Sequence, residues 1–350
     1  MEENISAIDL FCGIGGLSFG LRKAGLNVKA GIDQDLSCSY AYTKNNNADF
    51  IGDDISKIQG QDLIDLYWNN DEIRVLVGCA PCQPFSTHSN KIKGKENGDK
   101  WNLINQFKRL IKETNPMVVS MENVPNLSNK EIFNEFISFL KESNYFVSYS
   151  NIFCPDYGIP QKRRRLVLLA SRLGEIKIIN KTHTPNNYIP ISNIISHLPM
   201  VNAGEKSNED PLHYPLNLSS KNLERMISSK PNGTWKDWDE SLRLKCHNKA
   251  SGKTYTSVYG RMSWDEPSPT ITTQFYNFGT GRFGHPEQNR ALTIREAALL
   301  QTFPKDYIFY EDEKDISFKK LGTHIGNAVP VDLGYIIGKS IIENINMFAK

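Results

Sequence analysis

The sequence predicts an α/β fold: a doubly wound, mostly parallel sheet with a second, smaller and irregular domain after it. Three observations predict this. Short apolar runs alternate with amphipathic helical stretches as far as about residue 172. Beyond that the alternation stops, and residues 180–290 are rich in Asn, Ser, Pro, His and Gly with isolated aromatics. A glycine-bearing turn joins the first apolar run to the first helical stretch, where open sheets place a ligand-binding turn.

Each element follows from its own residues. Residues 5–10 are a short apolar strand, and 15–25 have helical spacing at Leu17, Leu21 and Ala24 with a glycine stop. A strand over 28–32 and a helix over 36–42 come next, then a strand over 73–77. Residues 101–113 place Ile104, Phe107, Leu110 and Ile111 on one helical face. The spacing predicts a strand over 117–121, a helix over 131–142 and strands over 145–153 and 166–171. After the irregular region, 293–301 returns as a helix, and 331–347 is a long closing helix behind Pro330. The domain reading is 1–188, completed by 320–350, with a separate domain over 189–319.

Composition excludes several classes. With 39% hydrophobic and 23% charged residues the chain can bury a sizeable core. No window approaches the roughly 18 unbroken apolar residues of a membrane span. The acidic opening MEENISAIDLF lacks a basic-then-apolar leader, so a cytoplasmic location is expected. Net charge is only +2, but the first 90 residues hold 6 Lys+Arg against 12 Asp+Glu, net −6, which leaves +8 on the remainder. An acidic front and a basic remainder fit a small-molecule site followed by a polyanion-facing surface. Of the six cysteines only Cys79 and Cys82 are paired in spacing. A structural zinc site needs a second ligand pair, which is absent, and Pro84 disfavours the helix that a thioredoxin-type pair opens.

The chemistry-bearing residues lie at the ends of strands. In GCAPCQPFS, Cys82 follows Pro81 and precedes Pro84, so it sits on a stiff exposed turn, a place for a reactive group. In IDLFCGIGGLSFG, Gly13 and Gly15 let the backbone approach a ligand, but Ser18 stands where a dinucleotide fingerprint needs its third glycine. Asp33 ends the second strand, where an acid holds ribose hydroxyls, and Asp54 is placed to accept from an adenine amine. Together they favour an adenosine-containing cofactor. Glu122 and Asn123 follow the 117–121 strand on the same rim as Cys82. In a strand, Gln161, Arg163 and Arg165 of QKRRR face one way and Lys162 and Arg164 the other.

At this point the chain resembles the DNA (cytosine-5) methyltransferases. DLFCGIGG, GCAPCQPFS, MENV, QKRRR, RALTIREAALLQTFP and IGNAVPV look like six of that family's motifs, in family order across nearly the whole chain. The resemblance implies a sheet of the S-adenosylmethionine-dependent methyltransferase type and a target-recognition domain in the irregular region. It implies S-adenosyl-L-methionine as cofactor, double-stranded DNA as partner, a monomer, and a restriction-modification setting in which a cognate restriction endonuclease acts separately. Cys82 would be the nucleophile at cytosine C6 and Glu122 the group at N3 and the exocyclic amine. Arg165 would contact O2, with Arg163 supporting the site. Phe11 would stack on the adenine, Asp33 hold the ribose, and Asp54 and Ile55 read the adenine edge. Pro81 and Leu103 would lie near the cofactor, and Asn327, Ala328 and Val329 near its methionine end. The family more often has Glu at Asp33, an aromatic at Gln34 and proline at Ala80. A duplex hides its bases, so the target must be flipped out. Residues 86–100, with Lys91, Lys93, Lys95 and Lys100, then read as a basic loop closing over DNA. Gln274, Thr280 and Arg282 are candidate base readers in the irregular region. A tRNA methylase, a catalytically silent relative and a nicotinamide oxidoreductase are the rival readings; Ser18 tells against the last, and the retained Cys82 and Glu122 against the second.

Overall fold

A computed structural model describes residues 5–68, 72–81, 98–247, 249–250 and 252–348, with the backbone alone at 98–102. Cys82 and residues 86–97 therefore lie outside the described residues. The chain divides into two compact units: Met1–Tyr157, Arg164–Thr182 and Ala328–Lys350 make the first, Gly158–Arg163 and His183–Asn327 the second. The sequence reading places its divisions at 188/189 and 319/320; the compact units change over at 182/183 and 327/328, and Gly158–Arg163, inside the stretch read as the first domain, belongs to the second unit.

The first unit is built on a seven-stranded sheet. Its strands are β1 (Ile5–Leu10), β2 (Asn27–Ile32), β3 (Asp49–Ile51), β4 (Ile73–Gly78), β5 (Val118–Asn123), β6 (Phe146–Phe153) and β7 (Arg164–Ser171), in the order β3-β2-β1-β4-β5-β7-β6. The β1, β2, β3, β4 and β5 neighbours pair parallel. β7 runs antiparallel to both β5 and β6. Helices α1 (Gly16–Ala24), α2 (Ser39–Asn46), α3 (Gly60–Tyr67), α4 (Gly98–Thr114) and α5 (Glu131–Glu142) alternate with the first strands.

Strand alternation sends Ile8 and Leu10 to one face of the sheet and Ala7 and Asp9 to the other. On the first face Ile8, Leu10, Leu76, Met121 and Leu168 share a core with Phe107 of α4 and Phe133 and Phe136 of α5. On the second face α1 packs, its Ser18 Oγ donating to Asp9 Oδ2 at 2.7 Å.

In the first unit the expected elements are present, and two more occur among the described residues. β3 has three residues, too few for a period-two pattern to show, and α3 has only eight and opens on Gly60, a residue that usually marks a break. Glu122 and Asn123 are the last two residues of β5 rather than residues beyond it.

The second unit holds α6 (Ser192–Ile195), α7 (Ser220–Ser228), α8 (Ile294–Leu300) and α9 (Phe318–Asn327), with isolated bridges in place of a sheet. Polar staples replace regular ladders. Arg261, 5% exposed, donates to the carbonyls of Met226, His285 and Gln288. Trp235, Trp238, Met226 and Phe278 form a small separate core, with the His247 ring stacked on Trp235 at 4.2 Å. The closing helix α10 (Val331–Phe348) belongs to the first unit.

Candidate active site

The parallel strands bring three chain ends to one edge of the sheet. Leu10 pairs with Gly78, and Gly78 with Met121, so the loops after β1, β4 and β5 leave side by side. β7 runs the other way, and its beginning falls at the same edge. Asn123 pairs with Leu166 and Glu122 with Val167, so Arg165, second in the reversed strand, lies beside the last two residues of the parallel one.

Glu122 is 2% exposed, and a buried carboxylate needs partners. Its Oε1 lies 2.8 Å from Arg165 Nε, an ion pair whose angle falls short of a good hydrogen bond. Cys79 Sγ donates to Oε2 at 2.7 Å. Arg165 Nη1 is itself fixed on the Arg164 carbonyl at 2.8 Å. Asn123 Nδ2 donates to the Ala80 carbonyl at 3.0 Å, and Cys79 N–H to Leu10 O at 3.2 Å. The segment that leads into Cys82 is thus tied to β5 on one side and β1 on the other. Pro81 is exposed at its end.

The turn after β1 is built differently from its neighbours. Phe11 has φ 62°, a left-handed conformation that a bulky side chain adopts only at a cost of about 1–2 kcal/mol. Gly13 has φ 51°, and a Cβ there would meet nothing within 4 Å. Its N–H donates to Asp33 Oδ2 at 2.9 Å, while Asp33 Oδ1 accepts from Asp35 N–H at 2.9 Å. Gly15, φ 87°, is a packing glycine: a Cβ there would stand 2.2 Å from Asn46 Nδ2 of α2. Ser18, where the third glycine is missing, is fully buried and also lies 3.1 Å from the Tyr42 hydroxyl. Burial pushes the Asp9 carboxyl beneath this turn up to about 7.

The remaining cofactor candidates fall in three places. Asp54 Oδ1 accepts from Ser56 N–H at 2.9 Å, and that backbone bond holds its carboxyl below the usual range. Ile55 belongs to the same core on which Phe11 and Leu103 pack. Asn327 is exposed at the end of the second unit, and Ala328 and Val329 open the last segment of the first.

Of the QKRRR residues, Gln161 and Arg163 are buried and Lys162 and Arg164 exposed, the alternation expected of a strand, although the strand starts only at Arg164. Within the second unit, Arg163 donates to the Ile271 carbonyl at 3.1 Å, and Gln161 Nε2 to Gln301 Oε1 at 2.8 Å. Gln301 Nε2 reaches the Ile325 carbonyl at 2.6 Å. Three sequence motifs therefore meet in one buried network. Arg282 donates to the Gly233 carbonyl at 2.6 Å and so ties down a segment 49 residues away, Thr280 Oγ1 donates to that of Gln274 at 2.8 Å within its own loop, and Gln274 is exposed.

Missed by sequence reasoning were Cys79 as a partner of Glu122 and Asn123 as the tie to the Cys82 segment. Their spacing in the chain, 43 residues in each case, carries no local signal.

The sheet order, the reversed strand and the turn after β1 define a methyltransferase fold. A DNA modification methyltransferase candidate encoded within an Escherichia coli prophage has the same fold, with TM-score 0.73 at 20% identity over 98% of this chain and 99% of that one. The profile of the C-5 cytosine-specific DNA methylase family matches residues 5–343, and the chain belongs to that family. It is 51% identical over 339 residues to the Type II methylase M.HgiDII of Herpetosiphon aurantiacus, covering 96% of this chain and 94% of that one. It is 31% identical to the Type II methyltransferase M.Eco47II of Escherichia coli over 99% of this chain and 80% of that one.

Proposed function

We propose that this protein methylates C5 of a cytosine flipped out of a specific double-stranded DNA sequence, as the modification arm of a restriction-modification system whose endonuclease acts separately. The observation that carries the reading is a buried Glu122 carboxylate held by Arg165 and Cys79 at the sheet edge, one short segment before Cys82.

Cytosine C5 is a poor nucleophile. Addition of the Cys82 thiolate at C6 makes C5 enamine-like, and after C5 has gained its methyl group, loss of the C5 proton expels the cysteine. Glu122 supports the addition by sharing a proton with N3 while accepting from the exocyclic amine. Arg165, already oriented by Glu122, donates to the base carbonyl. Arg163 holds the neighbouring segment of the second unit through its carbonyl contacts.

The turn fits an adenosine cofactor: Gly13 has room beside it that a side chain would fill, with Asp33 bonded to its N–H. S-Adenosyl-L-methionine, when bound, supplies an electrophilic sulfonium methyl. Phe11, Gly13, Asp33, Asp54, Ile55, Pro81 and Leu103 would hold its adenosine, with Gly15 shaping the turn. Asn327, Ala328 and Val329 would hold its methionine end. The second unit would read the target sequence.

The test is incubation with labelled S-adenosylmethionine and either duplex DNA or tRNA, followed by mapping of the modified base. Label at C5 of cytosine in duplex DNA is expected; label in tRNA alone overturns the DNA assignment. Duplexes carrying 5-fluorocytosine, which has no C5 proton to lose, should trap the wild type covalently and leave Cys82→Ser untrapped.

A further inference from the structure

Cys79 is half-buried, and among the described residues no group of three metal-ligating side chains includes it. Its backbone is fixed from two sides. Its own N–H bonds to Leu10 O at 3.2 Å, and the next carbonyl, that of Ala80, accepts from Asn123 at 3.0 Å. A side chain on so constrained a backbone has little freedom in where its sulfur falls, and it falls 2.7 Å from Glu122 Oε2. Arg165 stands on the other oxygen at 2.8 Å. Each oxygen therefore has one neighbour, a thiol hydrogen bond on Oε2 and an ion pair on Oε1, which limits how far the carboxylate plane can turn.

We propose that Cys79 is a positioning residue for Glu122: its thiol, opposite Arg165, orients the carboxyl that works on the cytosine ring. This rests on the methyltransferase reading of the site. A thiol suits the task because it is a weak donor. It holds the carboxyl in place while donating only weakly, so its hydrogen bond competes little with the one the carboxyl makes to the base. A hydroxyl in the same position would still donate to it, and more strongly.

The experiment compares wild type, Cys79→Ala and Cys79→Ser for kcat and KM on duplex DNA across pH, beside covalent trapping on 5-fluorocytosine duplexes. Cys79→Ala is expected to lose about tenfold in kcat, the scale of one orienting hydrogen bond, with both KM values within about twofold. Cys79→Ser is expected to recover most of that rate near neutral pH, with the alkaline limb of its kcat profile moved to lower pH, because a stronger donor favours the carboxylate that has lost the shared proton. Wild-type kcat and pH profile in Cys79→Ala, or an unmoved alkaline limb in Cys79→Ser, overturns the proposal. So does a loss that falls mainly on KM and is not rescued by serine, since that marks a role in loop structure alone. If Cys79→Ala fails to fold by circular dichroism, the alkaline limb of Cys79→Ser decides by itself. Should wild type form no trapped adduct, the reading of the whole site falls; should it trap normally while the variants match it, only the role of Cys79 falls.

Discussion

Asp9 shows how much a single residue can carry beneath a ligand turn. It is fully buried, it accepts from Ser18, and its Oδ1 has no hydrogen-bond partner among the described residues. Burial raises its carboxyl from 3.8 to about 7, outweighing the Ser18 hydrogen bond that lowers it. In the unfolded chain it ionises near 3.8, so between that pH and about 7 the folded state holds a proton that the unfolded state has lost. Stability therefore falls as pH rises through this window. Asp9→Asn keeps the shape and removes the titration, and thermal melts from pH 5 to pH 8 should show a flatter dependence than wild type. An unchanged slope would place the titration elsewhere. The apolar run ISAIDL announced a strand, but a carboxylate inside it gave no sign of being neutral. That property comes from complete burial in the folded sheet, which outweighs the hydrogen bond from Ser18 of α1.

Single elements reveal close packing that sequence periodicity does not. α1 and α10, from opposite ends of the chain, approach backbone to backbone. A Cβ at Gly20 would stand 2.2 Å from the Val331 carbonyl oxygen and 2.5 Å from Tyr335 N, and one at Gly338 2.6 Å from Ala24 Cβ. Backbone cannot move aside as a flexible side chain can, so Gly20→Ala should cost roughly 1–3 kcal/mol, measured by urea denaturation. A cost below a few tenths would mean that the helices separate freely. In the second unit α8 carries the sequence motif as a structural device. Thr293 and Glu296 form a capping box, and Glu296 also holds buried Arg290 at 2.7 Å. Burial by itself raises the Glu296 carboxyl, but Arg290 and its hydrogen bonds overcome this and bring it down to about 2. Burial likewise lowers neighbouring His285 to about 4. Below its ordinary 6.5 the histidine, and below 4.5 the glutamate, take up protons in the unfolded chain sooner than in the folded one. Both contributions to stability are complete above about pH 6.5 and fade as pH falls toward 2. Glu296→Gln should destabilise by about 3–5 kcal/mol at neutral pH, because it strands a buried guanidinium. The gap to wild type should narrow in acid melts. Helix spacing made α8 legible; its capping and its buried ion pair were visible only once Arg290 was folded back over it.

At the scale of the whole molecule, charge is divided along the chain, with a net −6 before residue 91 and +8 after it. If the basic part meets phosphates, affinity for duplex DNA should fall at least about tenfold between about 50 and about 200 mM salt. Fluorescence anisotropy at several salt concentrations measures this, and a flat response would remove the phosphate contacts from the reading. The sequence by itself determined the alternating α/β class, the irregular second region, the glycine turn and the family motifs. These are local patterns, written in neighbouring residues whose spacing follows from helix and strand geometry. Only the tertiary structure decided that β7 runs backward between β5 and β6, so that Arg165 at its start reaches Glu122 at the end of β5. It alone decided that Cys79 closes the other side of that carboxylate. The physical reason is that strand direction and strand order are settled by which faces and edges can be buried together, and residues 43 positions apart in the chain meet only when the sheet is assembled.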